Sequence, residues 1–203
     1  MIATIETVVL IYWGALIYSF SFIGASLKYI DQVYDEGIYN RRIAHLLSVI
    51  TGLMMGILIT FNPAAAIILL AIIIAVGITQ KLDNLPFQIT ALLAIGIPAM
   101  ITALPVFPGY EFTLAWVPLF MLTVAGFLDE YLDGYGDKTK KWILTIRPTM
   151  KLMMLALVFM GTFHIIYFIA FLSFDFSYIT VHWLSNKEIK AKKKLKKKKT
   201  KKH

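Results

Sequence analysis

The chain contains no cysteine. This excludes a disulfide framework, thiolate metal ligands and a cysteine nucleophile. Charge is also scarce, at 16% of the 203 residues, where an ordinary soluble domain carries about 25%. No glycine-rich phosphate loop is present, and no two of the four histidines have metal-site spacing. The N-terminal segment lacks Lys and Arg before its first apolar run and contains Glu6. It therefore reads as a retained span rather than a secretory signal.

What remains is apolar. Hydrophobic residues make up 59% of the chain and the mean hydropathy is +0.73. The apolar runs are long enough to cross a bilayer, which takes about 20 residues. Expected spans are Thr7–Leu27, Ile43–Phe61, Ala64–Thr79, Leu85–Leu104 and Leu114–Leu128, with a final apolar region Thr149–Leu184. Asn62-Pro63 is a turn signal and Pro98 a kink signal. The expected fold is an all-α polytopic transmembrane bundle of six to seven spans. Residues 1–186 form the membrane domain and 187–203 a disordered polylysine tail.

The basic residues set an expected orientation. Lys28, Arg41, Arg42, Lys81, Lys138, Lys140, Lys141, Arg147 and Lys151 fall in or beside the loops after the first, third and fifth spans. The positive-inside rule places those loops in the cytoplasm. One crossing after Arg147 would leave the tail outside. The 36 residues of Thr149–Leu184 barely allow two, with Gly161-Thr162 as a possible break. A re-entrant segment is the alternative.

Two segments resemble each other. Superposing aspartates aligns Asp31 with Asp129 and Asp35 with Asp133, each pair spaced i, i+4, and Asp137 adds a further step. On a helix leaving the membrane this spacing stacks like charges on one face. Helix stability does not account for that, and a cation between the carboxylates would. Oxygen ligands of this kind suit Mg²⁺ bound together with substrate phosphates, and Arg41, Lys138 and Lys141 could bind a diphosphate. The plainer reading is that wet loops carry charge and that these acids pair with nearby bases.

Paired DxxxD-type motifs four crossings apart resemble those of the UbiA-type intramembrane prenyltransferases. Asp31-x-x-x-Asp35 followed by Asn40-Arg41 resembles that family's first motif, and Asp133-Gly-Tyr-Gly136-Asp137 its second. The resemblance implies Mg²⁺ held by Asp31, Asp35, Asp129, Asp133 and Asp137, and transfer from a polyprenyl diphosphate. It covers about thirty residues plus topology. The chain departs from the family at Leu27-Lys28, where Asn-Asp is expected. It also lacks a proline-rich stretch after the first motif, and it is shorter.

Two other classes of function fit the same residues. One is a transporter for a divalent cation or an anionic solute, with its site between the repeat copies. The other is a non-enzymatic scaffold with a recruiting tail. The tail holds eleven lysines between Lys187 and Lys202. Anionic lipid is its expected partner, with nonspecific nucleic-acid contacts as the alternative. His164, inside the last apolar region, and Asp175 with His182, seven apart, are further intramembrane candidates. For each, a bond to a neighbouring helix is the plainer role.

Overall fold

The structure is a computed structural model. It describes residues 2–80, 82–104, 112–139 and 148–200, with side chains other than those at 2–3, 133–139 and 193–200. Among the described residues the fold is all-helical: α1 (Ile2–Asp35), α2 (Arg41–Phe61), α3 (Pro63–Ile78), α4 (Leu85–Ala103), α5 (Trp116–Thr139), α6 (Pro148–Phe159) and α7 (Ile165–Thr200).

The helix starts follow from local chemistry. Asn40, Asn62 and Asn84 cap α2, α3 and α4, their side chains accepting from the N–H of Arg42, Ala65 and Phe87. Proline follows at the first turn of α3 and α4, where its missing N–H costs nothing. The final apolar region divides where the sequence offered a break. Gly161 adopts φ +73°, and the Thr162 N–H returns to the Leu157 carbonyl. A left-handed residue is cheap only as glycine.

Four helical stretches are long and apolar enough to cross a membrane: Thr4–Asp35, Arg41–Phe61, Leu85–Ala103 and Ile165–Lys192. Two others, Pro63–Ile78 and Pro148–Phe159, are apolar but shorter. The outward surface suits lipid, with Leu10, Leu92, Phe120, Phe159 and Phe176 all exposed. By contrast α3 is enclosed. Its residues Ala65 to Leu69 are five consecutive buried positions, a pattern no one-faced helix shows. The backbone of α7 continues as one helix to Thr200. Lysine is a good helix former, and the preceding span supplies the nucleus.

Helix contacts run α1–α2, α2–α3, α3–α5, α5–α6, α6–α7 and α7–α1, with α4 packed outside on α2. Exchanging α1, α2 and α3 for α5, α6 and α7 maps every one of those six contacts onto another. A parallel duplication with α4 as the connector would have this arrangement, as would any ring of six helices in chain order.

The cross-copy pairs are parallel and lie close. The Ser173 and Ser177 hydroxyls on α7 donate to the carbonyls of Ile17 and Ser21 on α1. Gly24 has the Phe174 carbonyl directly against it. In the other cross-copy pair, Gly126 of α5 faces Ala71 and Ala75 of α3. The connector uses the same device, with Gly52 and Gly56 of α2 receiving Leu93 and Ile97 of α4. Small residues let helix backbones approach where lipid offers no hydrophobic drive.

Candidate functional site

The alternation of helix directions gathers the C-termini of α1, α3, α5 and α7 and the N-termini of α2, α4 and α6 at one end. The opposite interface is marked by Tyr12, which accepts from the Asn62 side chain, and by Trp13, which packs on His164 at 5.5 Å between rings. Measured along α7 at about 1.5 Å per residue, Asp175 stands about 15 Å above that level.

Asp175 is buried and forms an ion pair of 2.5 Å with Lys151 of α6. Beside it, α5 contributes Asp129 and Glu130, both buried. The Asp129 oxygens accept the N–H of Thr149 at 2.8 Å and of Met150 at 2.7 Å. These are first-turn donors of α6, and the residue before Pro148 is Arg147, whose side chain has no acceptor for them. Asp129 therefore caps α6 from a neighbouring helix and places a carboxylate at its dipole's positive end. Between α3, α5, α6 and α7 lies a cavity of about 20 Å³, lined by Ile72, Gly126, Asp129, Glu130, Phe174 and Asp175 among others. That holds one water and is far too small for a diphosphate.

The first copy of the motif sits elsewhere. Asp31 pairs with Lys28 on the same helix, and the Lys28 ammonium lies 5.0 Å from the Tyr178 ring centre. Asp35 is exposed and within electrostatic reach of Asp31, Lys28 and Asp83. Around it runs an aromatic collar. Tyr29 stacks on Tyr39 at 4.6 Å, Arg41 lies over Tyr34 at 5.8 Å, and the Tyr34 hydroxyl meets His45 at 3.1 Å.

Of the expected metal ligands, Asp31 and Asp129 thus engage a lysine and two backbone amides, and neither Asp31 nor Asp35 lines the cavity beside Asp129. Among the described side chains no three His, Asp or Glu residues form a metal-holding group. Asp133, Asp137 and Lys138 belong to the α5 backbone, but their side chains lie outside the described residues, as does Lys141 entirely. Arg41 is exposed at the collar. No family model, curated protein or solved structure matches this chain.

The Lys151–Asp175 pair and the buried Glu130 were not singled out from the sequence as a group. A signal existed: Thr149–Leu184 contains one lysine and one aspartate, and charges inside a membrane seek each other. His182 pairs with Asn186 at 2.9 Å. The His164 ring nitrogen accepts from the Ile166 N–H at the start of α7.

Proposed function

We propose that the chain is a multi-pass carrier for a small cation, built from two three-helix repeats. It crosses seven times, with α6 spanning only part of the bilayer, and its charged end faces the cytoplasm. The basic loops support that orientation. The observation that carries the reading is the Lys151–Asp175 pair beside a water-sized cavity lined by Asp129, Glu130 and Asp175. With seven crossings the pair lies near mid-membrane, where ionisable residues are expensive and mark ion pathways. Among the described residues the cavity is lined by three acids, which favours a cation over an anion. Proteoliposomes containing the purified protein should take up H⁺, Na⁺, K⁺ or Mg²⁺ saturably down an imposed gradient, and Asp175→Asn should reduce that flux at least tenfold. Flux equal to that of empty liposomes for all four ions would reject the carrier.

A second reading rests on the convergence of both aspartate motifs at one end of the bundle. A Mg²⁺-dependent prenyltransferase would release pyrophosphate from a polyprenyl diphosphate at that end, with Asp133 and Asp137 as the acids to substitute. Pyrophosphate release unaffected by Asp133→Ala and Asp137→Ala would remove it.

A further inference from the structure

The cavity beside Asp175 limits which cation a carrier of this shape can move. Its volume of about 20 Å³ holds one water. Mg²⁺ keeps several waters when one or two carboxylates bind it, so it does not fit with its shell. A bare Na⁺ or K⁺ meets a different obstacle. The Lys151 ammonium already stands 2.5 Å from Asp175, and a metal ion drawn to that carboxylate would lie against a like charge in a buried site. A proton meets neither obstacle. It adds no volume, and it settles on a carboxyl oxygen while the Lys151 charge stays in place. The charged groups around the site are Lys151 from α6 and Asp129 and Glu130 from α5, whereas α3 brings the apolar Ile72, Ala75 and Val76.

Polar groups lead from this cavity toward the charged end. Tyr178 stands three residues beyond Asp175 on α7, about 4.5 Å along the axis, and residues at that spacing are neighbours on a helix surface. Across from it, the buried Lys28 of α1 holds its ammonium 5.0 Å from the Tyr178 ring centre. Gln32 is buried one turn further along α1, and among the described residues its Oε1 has no hydrogen-bond partner. Lys28, Gln32 and the exposed Asp35 share one stripe of α1 by their spacing of four and three. A buried acceptor without a protein partner is satisfied by water, so this stripe is where water reaches inward from the exposed end.

We propose that the carried cation is the proton, that it lands on Asp175, and that the Tyr178 hydroxyl relays it there from the Lys28 side. The hydroxyl gives its proton to the Asp175 carboxylate, directly or through the one water the cavity holds. It takes a replacement from water on the α1 side. The net change is one neutral carboxyl at Asp175, with Tyr178 and Lys151 as they began. The proposal rests on the carrier reading of the Lys151–Asp175 site.

The test uses full-length protein in liposomes that enclose a pH-sensitive dye, with K⁺ and valinomycin fixing the voltage. Tracer uptake of Na⁺ and Rb⁺, and a Mg²⁺-sensitive dye, read the metals in vesicles without valinomycin. Proton flux down an imposed pH gradient is expected, with metal uptake equal to that of empty liposomes. Tyr178→Phe keeps the ring beside Lys28 but loses the hydroxyl, and should lower proton flux at least about fivefold. Tyr178→His returns a proton-carrying side chain and should run at least about twofold faster than Tyr178→Phe, which a purely structural role for the tyrosine would not produce. Saturable metal uptake would overturn the proposal and leave the carrier standing, whereas no flux of any ion would reject both. Wild-type proton flux in Tyr178→Phe, or no recovery in Tyr178→His, would also overturn it.

Discussion

The two halves place a matched acid on the same kind of helix and use it differently. In the first, Asp31 meets Lys28 three residues away on α1. The helix that follows, α2, has its own cap in Asn40 and runs 21 residues. In the second, Asp129 is only 2% exposed and reaches across to the N-terminus of α6, which runs 12 residues. The first turn of the shorter helix lies against α5, whose Asp129 carboxylate accepts its first amides. One acid makes a local ion pair on its own helix and the other caps a neighbouring one. The second half buries Asp129, Glu130 and Asp175, whereas the buried charge of the first is Lys28.

The largest effects should therefore fall in the second half. Asp175→Leu removes the buried partner of Lys151 and should cost about 3–5 kcal/mol, the usual loss on breaking a buried pair. The double variant Asp175→Leu/Lys151→Met should recover most of it, because removing both charges also removes both desolvation costs. Thermal unfolding in detergent micelles reads both. If the single and double variants were equally destabilised, the pair would not be the organising contact of α6 and α7.

Asp129→Ala comes next. It removes two charge-assisted bonds to backbone amides, each class worth about 1.5–3 kcal/mol, with partial compensation if water enters. A loss of about 2–3 kcal/mol is expected, with hydrogen exchange at Thr149 and Met150 accelerated ahead of the rest of the bundle. Unchanged protection at those amides would show that α6 is capped by another group.

The expected all-α membrane fold and the breaks at Asn62, Asn84 and Gly161 were legible because each rests on local chemistry. An asparagine cap, a first-turn proline or a left-handed glycine acts within four residues. The packing was not legible. That α1 lies along α7 and α5 along α3 depends on Ser173, Ser177, Gly24 and Gly126 meeting partners some 50 to 156 positions away. Nothing in the spacing of Asp129 indicates that its carboxylate accepts from Thr149 and Met150.

The two cross-copy seams give a smaller contrast. A methyl group at Gly24 would overlap the Phe174 carbonyl, a backbone atom that cannot rotate away. At Gly126 the nearest atom is the Ala75 Cβ at 3.1 Å, which a shift of a few tenths of an ångström relieves. Gly24→Ala should cost about 1–3 kcal/mol, the range for overpacking, and Gly126→Ala less than about 1 kcal/mol. Equal melting temperatures for the two variants would mean that the α1–α7 seam adapts as readily as α3–α5.

The smallest effect should be that of Asp31→Ala, and it is the sharpest test of the asymmetry. Its bond to Lys28 lies within one turn of α1, a class worth about 0.2–0.5 kcal/mol. Asp35 stands one turn further along, and removing the neighbouring charge relieves a repulsion of similar size. Lys28 is itself buried, but it keeps the Tyr178 ring as a partner at 5.0 Å, so its charge is not left unpaired. The net change should lie within about 0.5 kcal/mol, against about 2–3 kcal/mol for Asp129→Ala. If Asp31→Ala were as damaging as Asp129→Ala, the first copy would hold a buried partner for Asp31 beyond Lys28, and the two acids would share one role after all.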